Sequence, residues 1–338
     1  MRVASRAMRY FITGATGFIG GRLARLLREA GHSGVALVRS PAKAGALVEL
    51  GVEIAAGDVT DRGSLEGPMR GCDGVFHVAA WYEVGARDAS MAARINVDGT
   101  LNVLEVMKAL GIPKGVYTST IAVNSDTHGR LCDESYRYDG PHLSEYDRTK
   151  WLAHYEVALP MIEAGLPLVV VQPGVVYGPG DHSSIRQVLV DYLRGRLPLV
   201  PARTAFCWAH VDDVARGHVL AMERGRPGER YILAGPALTL VEALAIAASI
   251  TGIPAPRLRA SPALLRAMAA VMGVVERALP VPATFRSETL RVSAGVTYIA
   301  DASKARRELG WTTRSVEEGL GETLAHEMRL LGITPRAG

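Results

Sequence analysis

Residues 13–20 read TGATGFIG, and this stretch decides the fold. It follows an apolar run at 10–13 that is typical of a strand, and it opens a segment at 18–30 with helical periodicity. In such a strand–turn–helix unit, Gly14 permits the tight turn, Gly17 lets backbone N–H groups approach a pyrophosphate, and Gly20 lets the helix pack closely on the strand. The start of the helix adds partial positive charge that favours phosphate. The stretch therefore predicts a dinucleotide-binding unit.

Further along the chain, short apolar runs alternate with helical patterns. The runs typical of strands lie at 35–38, 52–55, 74–78, 115–117 and 168–171. Helical patterns lie at 44–50 and 91–110, and the second is followed by Gly111-Ile112-Pro113, which stops a helix. Strands rich in Val, Ile and Leu that are separated by helices indicate a parallel sheet covered on both faces. We therefore expect an α/β fold with a doubly wound parallel sheet of the Rossmann type.

The pattern changes after about residue 180. Helical stretches at 185–193, 211–223, 240–250 and 262–279 are joined by Pro-rich links and a few short strands. We expect residues 8–180 to form the dinucleotide-binding domain, with about 205–235 returning to it, and residues 181–330 to form a smaller, mainly helical C-terminal substrate lobe interleaved with it. Residues 1–7 are expected to be a disordered extension, and 262–279 a lobe helix or the subunit contact of a homodimer in preference to a membrane surface.

The composition of the 338-residue chain excludes several classes of protein. Hydrophobic residues make up 48% and charged residues 21%, and these values exclude intrinsic disorder. The net charge of +4 is small for this length, and no run of Lys and Arg reaches four, so nucleic acid is not an expected partner. Three distant cysteines without a CxxC pattern predict neither a disulfide framework nor a metal site. With no apolar run long enough to insert into a membrane, we expect a cytoplasmic protein that acts on a small molecule.

The end of the second strand indicates which dinucleotide is bound. An acidic residue there accepts hydrogen bonds from the adenosine ribose and favours NAD, whereas a cation suits a 2′-phosphate. The chain reads LVRS at 37–40, which puts Arg39 at this point with Lys43 nearby. We therefore expect NADP(H) to be favoured, with NAD(H) as the alternative. The other interpretation of Arg39 is a solvated surface side chain.

A Tyr and a Lys are spaced for acid–base chemistry in YDRTK at 146–150. Positions i and i+4 share one face of a helix, so the phenol of Tyr146 and the ammonium of Lys150 are expected to lie together. A neighbouring cation favours phenolate, so we expect Lys150 to lower the pKa of Tyr146 and make it a proton donor or acceptor. The alternative is a surface Tyr–Lys pair on an exposed helix.

Hydroxyl side chains follow the fifth predicted strand at Thr118-Ser119-Thr120. The carboxyl end of a central strand borders the ligand crevice of an open α/β sheet. Thr120 or Ser119 is therefore a candidate to hydrogen-bond a substrate carbonyl oxygen. Local capping of the backbone is the alternative interpretation for each residue.

Together these motifs resemble the extended short-chain dehydrogenase/reductases, within the NAD-dependent epimerase/dehydratase group. The resemblance covers roughly residues 8–325. Within the group, the chain is similar to dihydroflavonol 4-reductase-like proteins and to the hopanoid-associated sugar epimerases. The motifs that carry it are TGATGFIG at 13–20, GDVTD at 57–61, FHVAA at 76–80, NVDGT at 96–100, YTST at 117–120, YDRTK at 146–150, QPGVVYGPGD at 172–181, HVDDVARG at 210–217 and DASKARRELGW at 301–311.

The resemblance implies a role for each matching residue. Tyr146 would be the catalytic acid/base, Lys150 would hold the nicotinamide ribose, and Thr120 would orient the substrate, while Asn96 is taken as structural. The residues expected to bind the cofactor are Gly14, Thr16, Gly17, Phe18, Ile19, Arg39, Lys43, Asp58, Val59, Val78, Ala79, Ala80, Thr118, Tyr146, Lys150, Pro173 and Val176.

Two enzymatic functions and one non-enzymatic function fit these residues. The favoured one is an NAD(P)-dependent oxidoreductase that passes hydride between nicotinamide and a ketone, aldehyde or secondary alcohol. The alternative is a nucleotide-sugar epimerase or dehydratase that oxidises its substrate transiently with tightly held cofactor. A non-catalytic dinucleotide sensor is remote, because the Tyr/Lys pair is intact. Candidates for a partly aromatic substrate pocket are Trp81, Tyr82, His182 and Trp208.

Overall fold

The computed structural model describes residues 6–334. The extension predicted at 1–7 therefore lies, for residues 1–5, outside the described residues. The strands are β1 (Arg9–Thr13), β2 (Ser33–Val38), β3 (Glu53–Ala56), β4 (Gly74–His77), β5 (Gly115–Thr118), β6 (Leu168–Pro173), β7 (Val175–Tyr177), β8 (Leu199–Pro201), β9 (Ala205–His210), β10 (Arg230–Leu233), β11 (Ala237–Thr239), β12 (Leu258–Ala260) and β13 (Thr297–Tyr298).

Helices fill most of the chain between these strands. They are α1 (Phe18–Glu29), α2 (Gly45–Glu49), α3 (Gly63–Met69), α4 (Ser90–Ala93), α5 (Gly99–Ala109), α6 (Glu145–Leu152), α7 (Leu159–Glu163), α8 (Ser184–Leu193), α9 (Val211–Arg224), α10 (Leu240–Thr251), α11 (Pro262–Val275), α12 (Ser287–Val292), α13 (Ser303–Leu309) and α14 (Val316–Leu331). Single π-helical turns at Arg94–Asp98 and Ala153–Ala158 join α4 to α5 and α6 to α7.

A seven-stranded parallel sheet in the order β10-β6-β5-β4-β1-β2-β3 forms the centre of the molecule. The chain reverses direction across the sheet between β1 and β4, and this is the point where ligands bind in such folds. Separate apolar clusters cover the two faces: Leu23 of α1 and Ala221 of α9 belong to one, and Leu104 and Met107 of α5 to the other. The doubly wound Rossmann fold predicted from the sequence is confirmed.

The smaller lobe combines helices with two short sheets. Strands β7, β9, β11 and β13 form one sheet, and β8 pairs with β12 in the other. Helix α9 packs on α1, and β10 is the outer strand of the large sheet, whereas β9 belongs to the small one. The segment that returns to the large sheet therefore begins after β9 and not at about residue 205. Among the helices of residues 6–334, none is long and apolar enough to span a bilayer.

Candidate active site

The turn after β1 is built around glycines that leave no room for side chains. Gly14 has a φ of +74°, and a Cβ there would lie 2.6 Å from the backbone nitrogen of Ala79. A Cβ on Gly20 would lie 2.1 Å from the carbonyl oxygen of Gly14. Gly17 precedes α1 and offers no side chain to cap it, so the first N–H groups of the helix remain open to a ligand. This cradle, which includes Thr16, Phe18 and Ile19, fits a dinucleotide pyrophosphate.

The neighbouring strand ends carry the residues predicted to bind the adenosine part. Arg39 directly follows β2 and Lys43 ends the short helical turn at Pro41–Lys43, and both are exposed. Asp58 follows β3, where its Oδ1 accepts hydrogen bonds from the N–H and the hydroxyl of Thr60. The Val59 side chain is buried in the core, which leaves its backbone as the part that faces a ligand. Because β2 and β3 are parallel neighbours, these positions share one edge of the sheet.

The end of β4 is fastened to the glycine turn. The Val78 N–H donates to the Thr13 carbonyl, and the Ala79 N–H donates to the Thr13 hydroxyl. Val78 and Ala79 are half-buried and Ala80 is exposed, so the three residues line the cleft beside the turn. On the far side, Pro173 ends β6 and Val176 is a half-buried residue of β7.

Lys150 is almost completely buried at the carboxyl end of β5. It is 1% exposed, and its Nζ donates to the Thr118 carbonyl oxygen at 2.8 Å and to the Tyr117 hydroxyl at 3.2 Å. The ammonium also lies 4.8 Å from the centre of the Tyr117 ring. Burial lowers the pKa of Lys150 to about 7. The alternative of a surface Tyr–Lys pair is therefore wrong.

Tyr146 lies one helical turn before Lys150, near the start of α6. The Ser144 hydroxyl caps this helix by accepting the Asp147 N–H. The edge of the Tyr82 ring packs against the Tyr146 ring at 4.8 Å between centres, and the Thr120 side chain acts to lower the pKa of the Tyr146 phenol.

The net shift in the pKa of Tyr146 is opposite to the one expected from the Lys150 cation. Burial, followed by the neighbouring Tyr82, raises the pKa of Tyr146, and the Thr120 hydrogen bond opposes the shift only in part. Lys150 directs its Nζ to Tyr117 and Thr118, the strand-end groups that fix it. Tyr146 therefore carries its proton at neutral pH.

The three hydroxyls after β5 point to different partners. The Thr118 hydroxyl pairs with Nε2 of His218 at 2.9 Å, and the Ser119 hydroxyl with Nδ1 of His154 at 2.8 Å. Both partners are fully buried, and burial lowers the pKa of His154 to about 3 and of His218 to about 4, so each imidazole is neutral. Thr118 faces the site through its carbonyl, and the prediction of a catalytic Ser119 is wrong because its hydroxyl is bound in the core. The Thr120 hydroxyl oxygen accepts the Ala122 N–H at 3.1 Å, which confirms the alternative of local capping for this residue. Its hydroxyl proton is not used by this bond and can be directed toward Tyr146.

Asn96 ties the loop at Trp81 to helix α6. Its Oδ1 accepts the Trp81 N–H at 2.7 Å, and its Nδ2 donates to the Trp81 carbonyl and to the Thr149 hydroxyl. These bonds fix the loop that carries Tyr82 relative to the helix that carries Tyr146 and Lys150. Asn96 was expected to be structural, and it lies in the first of the two π-helical turns.

The predicted aromatic pocket residues separate into two groups. Tyr82 is exposed, and its hydroxyl lies near Ser184, two residues beyond the exposed His182, so these side chains border the cleft together with Trp81. Trp208 is 1% exposed and donates its indole N–H to the Leu238 carbonyl in the lobe core. The prediction that Trp208 lines the pocket is therefore wrong. Ser184 and Tyr117 were missed: a Tyr in a strand resembles core packing, and no sequence pattern links Ser184 to the cleft.

Outside the cleft, one group of potential metal ligands occurs in the described part of the chain. Atoms of His210, Asp212 and Glu322 lie within 4.8 Å of one another. Arg314 donates to both Glu322 oxygens at 2.9 Å, and Arg22 lies 3.3 Å from Asp212. The arginines already supply the positive charge that these carboxylates need, and the cluster is an ion-pair network.

Comparison with known proteins agrees with this geometry. Residues 10–234 match the NAD dependent epimerase/dehydratase family. A putative dihydroflavonol 4-reductase from Synechocystis is 35% identical over 93% of this chain and 93% of its own. A 4-hydroxy-2-methyl-3-oxo-4-farnesyl-3,4-dihydroquinoline-1-oxide ketoreductase from Stigmatella aurantiaca is 35% identical over 91% of this chain and 92% of its own. The crystal structure of a nucleoside-diphosphate-sugar epimerase from Pseudomonas aeruginosa has a TM-score of 0.78 and 28% identity, and covers 96% of this chain and 98% of that one.

The match extends across both the large sheet and the smaller lobe, and it includes the glycine turn and the Tyr146–Lys150 helix. The resemblance inferred from the sequence motifs is thereby confirmed, as is the expectation of a nicotinamide-dependent enzyme. The chain belongs to the NAD-dependent epimerase/dehydratase family of extended short-chain dehydrogenases/reductases.

Proposed function

We propose that the protein is an NADPH-dependent reductase that converts a ketone or an aldehyde into an alcohol. The observation that carries the proposal is the half-buried phenol of Tyr146, which lies against the Tyr82 ring one helical turn before the buried Lys150 and whose raised pKa keeps its proton in place. A reductase needs a proton donor at this point, whereas an enzyme that begins by oxidising an alcohol needs a base. Two relatives that are 35% identical over more than nine-tenths of the chain carry the names of a reductase and a ketoreductase.

The residues present fit a nicotinamide dinucleotide. The glycine turn and the start of α1 would hold the pyrophosphate, and Arg39 with Lys43 would hold a 2′-phosphate, which supports NADPH over NADH. Asp58 and the backbone of Val59 would contact the adenine, and Lys150 would contact the nicotinamide ribose. When bound, the cofactor supplies the hydride that reduces the carbonyl carbon.

Tyr146 provides the proton that this reduction requires. The phenol O–H breaks as the new O–H bond forms on the substrate oxygen, and the electron pair stays on Tyr146 as phenolate. Thr120 donates a hydrogen bond to the same oxygen and stabilises the negative charge that develops there. The Lys150 ammonium, one turn away, stabilises the phenolate until a proton returns from water. Asn96 and the Thr118 carbonyl act as positioning groups because they hold the loop and the ammonium in place.

A nucleotide-sugar epimerase is the second candidate, and the likeness to the Pseudomonas aeruginosa epimerase favours it. The two functions differ in stoichiometry, because a reductase consumes one NADPH per product whereas an epimerase returns its cofactor unchanged. We expect NADPH oxidation, followed at 340 nm, with at least one member of a panel of aromatic and aliphatic ketones and aldehydes. UDP- and dTDP-sugars analysed by chromatography are expected to remain unchanged. Sugar epimerisation without net NADPH loss would replace the proposal with the second candidate.

A further inference from the structure

The outward side of α11 is apolar where a surface helix is normally polar. Seven residues of α11 are exposed, and six of these are Ala, Leu or Val, while the seventh is Arg266. The inner side packs on α12 through Leu265, Ala269 and Leu290. Five large apolar side chains in and after this helix are exposed by 49% to 67%, and we call them the lobe apolar residues: Leu264, Val271, Val274, Leu279 and Phe285.

Exposed apolar side chains are concentrated in this part of the lobe. Of the thirteen large apolar residues that are exposed within 6–334, six lie between residues 252 and 292, the five lobe apolar residues and Leu258. Isolated exposed apolar residues are normal, but a concentration of them marks an interaction surface.

The same segment carries the whole net charge of the protein. Residues 252–292 contain six Arg and two Glu and neither Lys nor Asp, so their net charge of +4 equals that of the complete chain. Both carboxylates are held internally: Glu276 accepts from Ser287, and Glu288 accepts from the N–H groups of Gly85 and Glu145. Arg266, Arg286 and Arg291 likewise donate to backbone carbonyl oxygens. The charge that this segment presents outward comes from the exposed Arg257, Arg259 and Arg277, and it is positive.

The segment is joined directly to the candidate active site. The Arg286 guanidinium donates to the Gly85 carbonyl, three residues after Tyr82. Glu288 accepts one hydrogen bond from Gly85 and another from the first residue of α6, which is adjacent to Tyr146. A ligand that arrives along this surface is thus close to both aromatic rings of the cleft.

We propose that residues 258–285 dock on the surface of an anionic lipid bilayer, with the lobe apolar residues at the acyl boundary and the arginines on the phosphates. A helix of 14 residues is too short to span a bilayer and suits a position in the plane of the interface. A second copy of this chain is a poorer occupant, because residues 258–285 contain three Arg and one Glu and a two-fold contact would place +2 against +2. The charge thus favours a bilayer over the subunit contact expected from the sequence.

Docking also points to the class of substrate. A bilayer surface concentrates lipophilic molecules, so the carbonyl compound that enters the cleft is one that partitions into membranes. This second half of the inference rests on the proposed reductase function, whereas the docking itself does not.

The test is co-sedimentation of the full-length protein with vesicles of phosphatidylcholine and phosphatidylglycerol, compared with vesicles of phosphatidylcholine alone. We expect binding to the anionic vesicles that weakens with salt, and a loss of about tenfold in the double variant Val271→Glu and Val274→Glu. The matched control is Val48→Glu with Leu131→Glu, because these residues are exposed by 59% and 61%, as Val271 is by 61%. The control is expected to bind vesicles as the unmodified protein does.

NADPH affinity, measured by calorimetry on each protein, shows that the variants remain folded without relying on a substrate. Unmodified protein that binds neither kind of vesicle overturns the docking, and so does a double variant that binds like the control. A double variant that dissociates a dimer seen by light scattering overturns it in favour of a subunit contact. Vesicle binding without carbonyl reduction supports docking and rejects the reductase, whereas reduction without vesicle binding does the reverse.

Discussion

The carboxyl edge of the large sheet and the outward side of α11 depart from normal burial in opposite directions. At the edge, the charged side chain of Lys150 is 1% exposed, whereas on α11 the apolar side chain of Val274 is 67% exposed. Burying an ammonium costs free energy of folding, and exposing a Val forgoes the gain from burying it. Neither arrangement improves the fold, so each indicates where the chain keeps a residue for chemistry or for binding.

The two regions also differ in how their groups are satisfied. At the sheet edge buried polar groups have fixed partners: Lys150 bonds to Thr118 and Tyr117, and Ser119 bonds to His154. On α11 the outward apolar side chains of Leu264, Val271 and Val274 are exposed by 49% to 67% and belong to none of the buried apolar clusters. The sheet edge therefore holds its polar groups in fixed positions, as a reaction requires, whereas the outward side of α11 leaves apolar side chains available for binding.

The largest effect is expected where the buried charge is removed. Lys150→Met keeps the length of the side chain but removes the cation that stabilises the phenolate, so turnover should fall about 10²–10³-fold. NADPH affinity should fall as well, because a ribose contact is lost. Steady-state kinetics with calorimetry measures both, and a variant with normal turnover would show that the ammonium only fills space.

Lys150→Met is also expected to change how the free energy of unfolding depends on pH. Folded Lys150 has a pKa of about 7, whereas the unfolded side chain has a pKa of about 10.4. Between these pH values the unfolded chain binds the additional proton, so the free energy of unfolding rises with pH. Lys150→Met should lose this rise in urea titrations from pH 7 to 10, and an unchanged rise would contradict the lowered pKa of the buried Lys150.

A smaller effect is expected from the exposed cation on the same edge. Arg39→Asp should weaken NADPH binding by about 1–3 kcal/mol and reverse the preference over NADH, because charge-assisted hydrogen bonds to the 2′-phosphate are lost. Turnover at saturating cofactor should change little, in contrast to Lys150→Met. Equal affinity of the unmodified protein for the two cofactors would remove the basis of the NADPH proposal.

The strands and the spacing of the catalytic helix were predictable because both follow from local patterns. The apolar runs at 10–13 and 168–171 lie within β1 and β6, and the spacing in YDRTK places Tyr146 and Lys150 one turn apart. Trp208 could not be assigned, because burial in the lobe core depends on the small sheet that forms around it. The pKa of Tyr146 was predicted in the wrong direction, since the sequence shows neither the burial of the phenol nor the neighbouring Tyr82, and both raise this pKa.

The outward side of α11 was also not predictable. The period of its apolar residues indicates a helix, but only the packing on α12 shows which residues remain exposed. The homodimer and the cytoplasmic location stay predictions.

The central claim is that Tyr146 donates the proton in carbonyl reduction. It is tested most directly by single-turnover oxidation of bound NADPH in Tyr146→Phe, which removes the hydroxyl and keeps the ring against Tyr82. With a carbonyl substrate found in the panel and both ligands saturating, we expect the rate to fall about 10²–10⁴-fold while NADPH affinity is unchanged. A rate close to that of the unmodified protein would contradict the claim, and the proton would then have to come from another group at the cleft.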